Sequence, residues 1–125
     1  MVSALVVDDD PITVELLELV LKRAGYEVLV AYNGEEALRM ARAHLPDVII
    51  LNVNMPDLTG GEVCVRLKTN GETTAIPVVL CSAGLRIYDP AYVRQCMADE
   101  VLPKPCLPIE VIQTLERALM KKRKT

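Results

Sequence analysis

The sequence predicts an α/β fold in which five short strands alternate with five helices and form a parallel sheet covered on both faces. Three observations carry this. Apolar runs and helical patterns alternate from end to end of the chain. The runs at 48–51 and 78–81 are continuously apolar, which suits strands buried on both faces. Proline, glycine, aspartate and asparagine punctuate the joints between the segments. Strict alternation then requires right-handed crossovers and a three-layer sandwich.

The elements follow in order. Ala4-Leu5-Val6-Val7 is a β-rich run stopped by Asp8-Asp9-Asp10. Asp10 is placed to cap a helix with Pro11 at its first position. Ile12, Leu16, Leu19, Val20 and Arg23 recur at helical spacing, and Gly25 supplies the stop. Val28 to Ala31 is the second strand. Asn33-Gly34-Glu35-Glu36 resembles a capping box, and Ala37, Leu38, Ala41 and Leu45 mark an inner helix face. The third strand is 48–51, followed by the turn-rich loop Met55-Pro56-Asp57-Leu58-Thr59-Gly60 and a helix from about 61 to 68. After the polar loop 69–74 comes the fourth strand, 78–81. Asp89-Pro90 opens a short helix reaching about Met97, and Val101-Leu102 is a brief fifth strand. Pro108 opens the last helix, with Ile109, Ile112, Leu115, Ala118 and Leu119 inward.

Composition narrows the function. The chain has 125 residues, 51% apolar and 25% charged, with a net charge of −3, an ordinary globular domain large enough for a core of its own. No apolar run approaches the ~20 residues of a membrane span, and no signal-peptide pattern opens the chain, so no membrane contact and a cytoplasmic location are expected. Cys64, Cys81, Cys96 and Cys106 lack CxxC spacing and His44 is the lone histidine, so a zinc site is not expected. Mild acidity argues against direct nucleic-acid binding. The basic residues Lys121, Lys122, Arg123 and Lys124 suit a helix end. No repeat or internal linker is visible, so residues 1–121 read as one domain and 122–125 as a basic tail or the start of a linker.

In parallel sheets of this kind the working site lies at the carboxyl ends of the strands. Asp8 and Asp9 follow the first run, Asn52 the third, Ser82 the fourth and Lys104 the fifth. Two adjacent carboxylates repel unless a cation sits between them, and few, hard oxygen ligands suit Mg²⁺. A hydroxyl and an ammonium on the same rim suit an anionic phosphoryl group. Singly, such residues are as easily caps and surface charges.

These stretches resemble the receiver domain of two-component response regulators, over essentially the full length. The matching segments are VVDDDP at 6–11, IILNVNMPDLTG at 49–60, CSA at 81–83 and LPKP at 102–105. The resemblance implies a flavodoxin-like sheet of order 2-1-3-4-5 and a non-enzymatic module that takes a phosphoryl group from a histidine kinase or phosphotransfer protein. It implies that Asp8, Asp9 and the backbone carbonyl of Asn54 serve Mg²⁺, and that Ser82 and Lys104 hold phosphoryl oxygens. It implies contacts with an output domain or partner protein, or a homodimer, through residues of about 90–97 and 108–121, where Tyr88, Tyr92 and Val93 could form an apolar patch.

The sequence departs from the family pattern at the phospho-accepting aspartate, which falls on Asn52. A carboxamide is a poor nucleophile and forms no acyl phosphate, so the chain as written should not be phosphorylated there. Asp8, Asp9 and Lys104 leave a formal pocket charge of −1. With one anionic ligand gone, Mg²⁺ binding should be weak, although the Asn52 amide oxygen could still ligate. Val101 and Cys106 stand where the family commonly has aromatic rings. The change at Asn52 fits either an acceptor replaced within an otherwise intact pocket or a natural pseudo-receiver acting as an interaction module. A more distant alternative is a haloacid-dehalogenase-like phosphatase using Asp8 and Asp10, whose motif is only partly met at Ile12.

Overall fold

The computed structural model describes residues 1–124. In chain order the elements are β1 (Ser3–Val7), α1 (Pro11–Arg23), β2 (Glu27–Ala31), α2 (Gly34–His44), β3 (Val48–Asn52) and α3 (Gly60–Thr69). They continue with β4 (Val78–Ser82), a 3₁₀ turn at Arg86–Tyr88, α4 (Pro90–Cys96), β5 (Glu100–Pro103) and α5 (Pro108–Lys124). The strands form a parallel sheet of order β2-β1-β3-β4-β5. The fold is the flavodoxin-like sandwich expected. The tail expected at 122–125 reaches into α5, and its last residue lies outside the described residues.

Continuous apolar runs form the strands because successive side chains face opposite sides of the sheet and both sides are covered. Leu5, Val7, Ile49, Leu51, Val78 and Leu80 face α2, α3 and α4, meeting Ala37, Leu38, Val63, Leu67 and Cys96. Ala4, Val6, Val48, Ile50, Val79 and Cys81 face α1 and α5, meeting Val14, Leu17, Leu21, Val111, Leu115 and Ala118. Each such buried Val, Leu or Ile contributes about 1.5–3 kcal/mol relative to exposure.

Helix starts are fixed by side chains. Asp10 accepts from Ile12 N at 3.2 Å and from the Thr13 hydroxyl at 2.8 Å, capping α1 ahead of Pro11. Asn33 caps α2 by accepting from Glu36 N at 2.8 Å, but Glu36 reaches back to Tyr32 N rather than to Asn33, so the box is incomplete. The reciprocal box belongs to α3: Glu62 N donates to Thr59 Oγ1 at 3.1 Å and Thr59 N to Glu62 Oε1 at 3.4 Å. Past the end of α1, Gly25 takes φ +94°, a conformation that disfavours a Cβ.

The inner face of α1 differs from the expected one. Ile12, Leu16 and Leu19 are exposed, while Val14, Leu17 and Leu21 are buried. Two apolar stripes share one helical period, and only the position of the helix over the sheet selects between them. Leu45 ends α2 in the left-handed region at φ 45° and is exposed, as is Ile109 in the first turn of α5. Tyr88 is exposed, whereas Tyr92 packs against the core beside α3.

Candidate functional site

The strand register puts the ends of β1, β3, β4 and β5 on one rim. Val7 pairs with Leu51, Asn52 with Cys81, and Ser82 with Pro103. Asp8 and Lys104 stand one step beyond these positions, and Asp9 two steps beyond Val7. Residues separated by as many as 96 positions thereby meet in one cluster.

Lys104 Nζ donates to Asp8 Oδ2 at 2.7 Å and to Asn52 Oδ1 at 3.1 Å. Asp8 is 2% exposed and also accepts from Asp10 N through Oδ1 at 3.0 Å. Asp9, by contrast, is exposed. The Asn52 amide nitrogen donates to Asn54 O at 2.6 Å and makes longer contacts with Asp9 Oδ1 at 3.4 Å and Asp8 Oδ1 at 3.5 Å. The carboxamide is oriented by charge: its oxygen meets an ammonium, while its N–H groups meet two carboxylates and a carbonyl. Reversing it would set donor against donor and acceptor against acceptor. The two aspartates are therefore already bridged by polar hydrogens.

Ser82 is buried on the same rim, and its hydroxyl oxygen accepts from Gly84 N at 2.9 Å while its carbonyl accepts from Lys104 N at 2.9 Å. Of the four oxygens anticipated around a cation, those of Asp8, Asp9 and Asn54 converge. The fourth, Asn52 Oδ1, is turned away toward Lys104.

Several residues that shape the rim were not singled out by the sequence. Gly60 N donates to Val53 O at 2.7 Å, and a Cβ on Gly60 would stand 2.3 Å from Asn52 O. Glycine there lets the start of α3 press against the end of β3. Asp57, in the loop after β3, accepts from Gly34 N and Glu35 N, each at 2.9 Å. Those two backbone hydrogen bonds hold its carboxyl below the ordinary value. The turn residues of 55–60 signalled the loop, but not which helix its aspartate would cap.

Beside Lys104 opens a mainly apolar cleft of about 480 Å³, lined by Thr13, Leu16, Val20, Pro105, Cys106 and Cys81 among others. The Cys106 thiol is lowered to about 7 by its hydrogen bond with Cys81, while Cys81 is pushed up by the same bond and by burial. Cys64, deeply buried, is pushed up to about 12. The phosphatase alternative loses its acid: both Asp10 carboxylate oxygens are engaged in capping α1, and the Asp8 carboxylate is held by Lys104.

The profile described as "Response regulator receiver domain" matches residues 4–116. The alkaline phosphatase synthesis transcriptional regulatory protein PhoP of Bacillus subtilis is 39% identical over 107 residues, covering 86% of this chain and 44% of that protein. The chain thus spans less than half of that longer relative. The polar-differentiation response regulator DivK of Brucella anthropi is 32% identical over 117 residues, 94% of this chain and 95% of that protein. A solved structure of a response regulator from Chloroflexus aurantiacus aligns with TM-score 0.88 at 36% identity, over 94% of this chain and 97% of that one. A receiver domain from Methanospirillum hungatei aligns with TM-score 0.90 at 19% identity, over 99% and 98%, a likeness of fold alone.

Proposed function

The chain belongs to the response regulator receiver domain family, and from that premise we propose that it is a receiver that accepts no phosphoryl group at its family site. As a receiver domain it is a module of two-component signalling and not an enzyme, and a histidine kinase partner is implied. In our reading Asp8 and Asp9 hold the acidic positions, Asn52 the acceptor position, and Ser82 and Lys104 the positions facing phosphoryl oxygens.

One observation carries the reading. Where a nucleophilic carboxylate is needed, Asn52 presents a carboxamide whose nitrogen is committed to Asn54 O and whose oxygen is committed to Lys104. An amide so placed has no anionic oxygen with which to attack phosphorus. Signalling would then run through surfaces rather than through phosphorylation. The segments 90–97 and 108–121 would meet an output domain, a partner protein or a second copy. Tyr88, in the 3₁₀ turn just before the first segment, and Ile109, near the start of the second, are both more than half exposed. The lack of an aromatic ring at Val101 favours a second form of the reading, a natural pseudo-receiver working purely as an interaction module.

Receiver domains typically bind Mg²⁺. Asp8 Oδ1, Asp9 Oδ1 and Asn54 O are hard donors of the kind that ion takes. They converge, however, on the Asn52 amide nitrogen, which is itself a donor. The set as it stands does not fit the ion.

Incubation with acetyl phosphate and Mg²⁺, read by intact mass and by hydroxylamine sensitivity, tests the proposal. The chain is expected to stay unmodified and Asn52→Asp to gain a hydroxylamine-labile phosphoryl group. A phosphorylated unsubstituted chain overturns the reading. An unlabelled Asn52→Asp variant hands it to the pure interaction module.

A further inference from the structure

We propose that the Asn52 carboxamide stands in for the divalent cation, so that the resting pocket is complete without metal and its conformation is independent of Mg²⁺. The inference rests on the receiver reading of this pocket and deepens it.

The three oxygens suited to a cation all point at one atom, Asn52 Nδ2. Asn54 O is 2.6 Å from it, Asp9 Oδ1 3.4 Å and Asp8 Oδ1 3.5 Å. The nitrogen carries two hydrogens. One serves the short bond to Asn54 O, and the other is shared between the two carboxylates. On its far side the carboxamide oxygen accepts from Lys104 Nζ at 3.1 Å, and that ammonium also pairs with Asp8 Oδ2 at 2.7 Å. One amide N–H therefore covers the acidic pair, the Lys104 ammonium adds to it at Asp8, and the second N–H closes on Asn54 O.

A cation entering this point must first evict the amide nitrogen. Rotating the side chain by half a turn would bring the oxygen to the ion but drive the NH₂ group against the Lys104 ammonium, with the bonds to Asn54 O and from Lys104 both lost. Swinging the side chain aside is opposed by its burial, since Asn52 is 7% exposed at the end of a central strand. In this arrangement the amide competes with metal. A merely weaker ligand would instead help the metal a little, and the two cases differ in sign.

Mg²⁺ titrations followed by backbone NMR shifts at Asp8, Asp9 and Asn54 separate them. The unsubstituted chain is expected to show no saturable shift at millimolar Mg²⁺, and Asn52→Asp to saturate. Asn52→Ala, which deletes a possible oxygen ligand, is expected to bind about tenfold more tightly than the unsubstituted chain, because a competing hydrogen-bond set has gone. If Asn52→Ala binds no more tightly than the unsubstituted chain while Asn52→Asp binds, the stand-in is refuted and the receiver pocket survives. If Asn52→Asp also fails to bind, the receiver reading of the pocket itself falls. Should the alanine variant not fold, the side-chain ¹⁵NH₂ pair of Asn52 in the unsubstituted chain decides. Slow exchange and positions unmoved by Mg²⁺ support the proposal, and exchange at the rate of a free amide or shifts with Mg²⁺ overturn it.

Discussion

Lys104 Nζ lies 2.7 Å from Asp8 Oδ2, joining the loop after β5 to the end of β1 across 96 residues of sequence. Asp8 is almost wholly enclosed, with 3% of its side chain exposed against 25% for Lys104. Adjacent aspartates alone would repel one another and weaken the cation-free fold. Here the ammonium and the Asn52 amide hydrogens lie against them, so the two acids are not equivalent.

Asp8→Asn is accordingly expected to destabilise the chain by about 2 kcal/mol, because it leaves the Lys104 ammonium without its anion. The partial exposure of Lys104 keeps the loss below that of a fully buried pair. Asp9→Asn, on the exposed side, is expected to change stability by no more than about 0.5 kcal/mol. Urea melts without added metal measure both. Asp9→Asn proving the more damaging of the two would contradict this division of roles.

Asp57 makes the fold's link between the β3–α3 loop and α2 sensitive to acid. Backbone hydrogen bonds from Gly34 and Glu35 lower its carboxyl from 3.8, so its stabilisation is fully present above that value and is lost as pH falls through the lower folded one. Asp57→Asn cannot ionise and keeps one acceptor oxygen. The stability gap between the two chains is expected to narrow as the pH is taken from about 5 to about 2. Thermal melts across that range check it, and a gap that stays constant would show the carboxylate charge to be irrelevant.

Gly60 admits no side chain. A Cβ would meet Asn52 O at 2.3 Å and Val53 Cα at 2.8 Å, and both are backbone atoms of the rim. Gly60→Ala is expected to cost at least about 3 kcal/mol and to disturb the resonances of Asn52. Gly71→Ala, with nothing within 4 Å of its Cβ, serves as the control and should be close to neutral. Equal melting temperatures for the two variants would mean that α3 can retreat from β3 freely.

Cys106 is expected to be the thiol that disulfide reagents find first at neutral pH. It is partly exposed on the apolar cleft and its thiol is lowered to about 7 by the hydrogen bond with Cys81, whereas Cys64 is buried and raised to about 12. Stopped-flow reaction with an aromatic disulfide should show one fast thiol, absent from Cys106→Ser. A fast phase that survives this substitution would move the reactive group elsewhere.

Much of this was legible in the order of residues. Alternating apolar runs and helices, with Asp10-Pro11 and Asp89-Pro90 at helix starts, dictate a parallel sheet with helices on both faces, because no other arrangement buries strands that are apolar on both sides. That architecture in turn places Asp8, Asp9, Asn52, Ser82 and Lys104 on one rim. Tertiary structure decided what local pattern leaves degenerate. On α1 the stripe containing Ile12 and Leu16 and the stripe containing Val14 and Leu17 have the same period, and only the seat of the helix against Val6, Ile50 and Cys81 buries the second. The amide of Asn52 offers both an oxygen and a nitrogen, and sequence cannot say which faces the acids. That was fixed by Lys104, brought from the far end of the chain, because an ammonium accepts no hydrogen bond and so claims the oxygen.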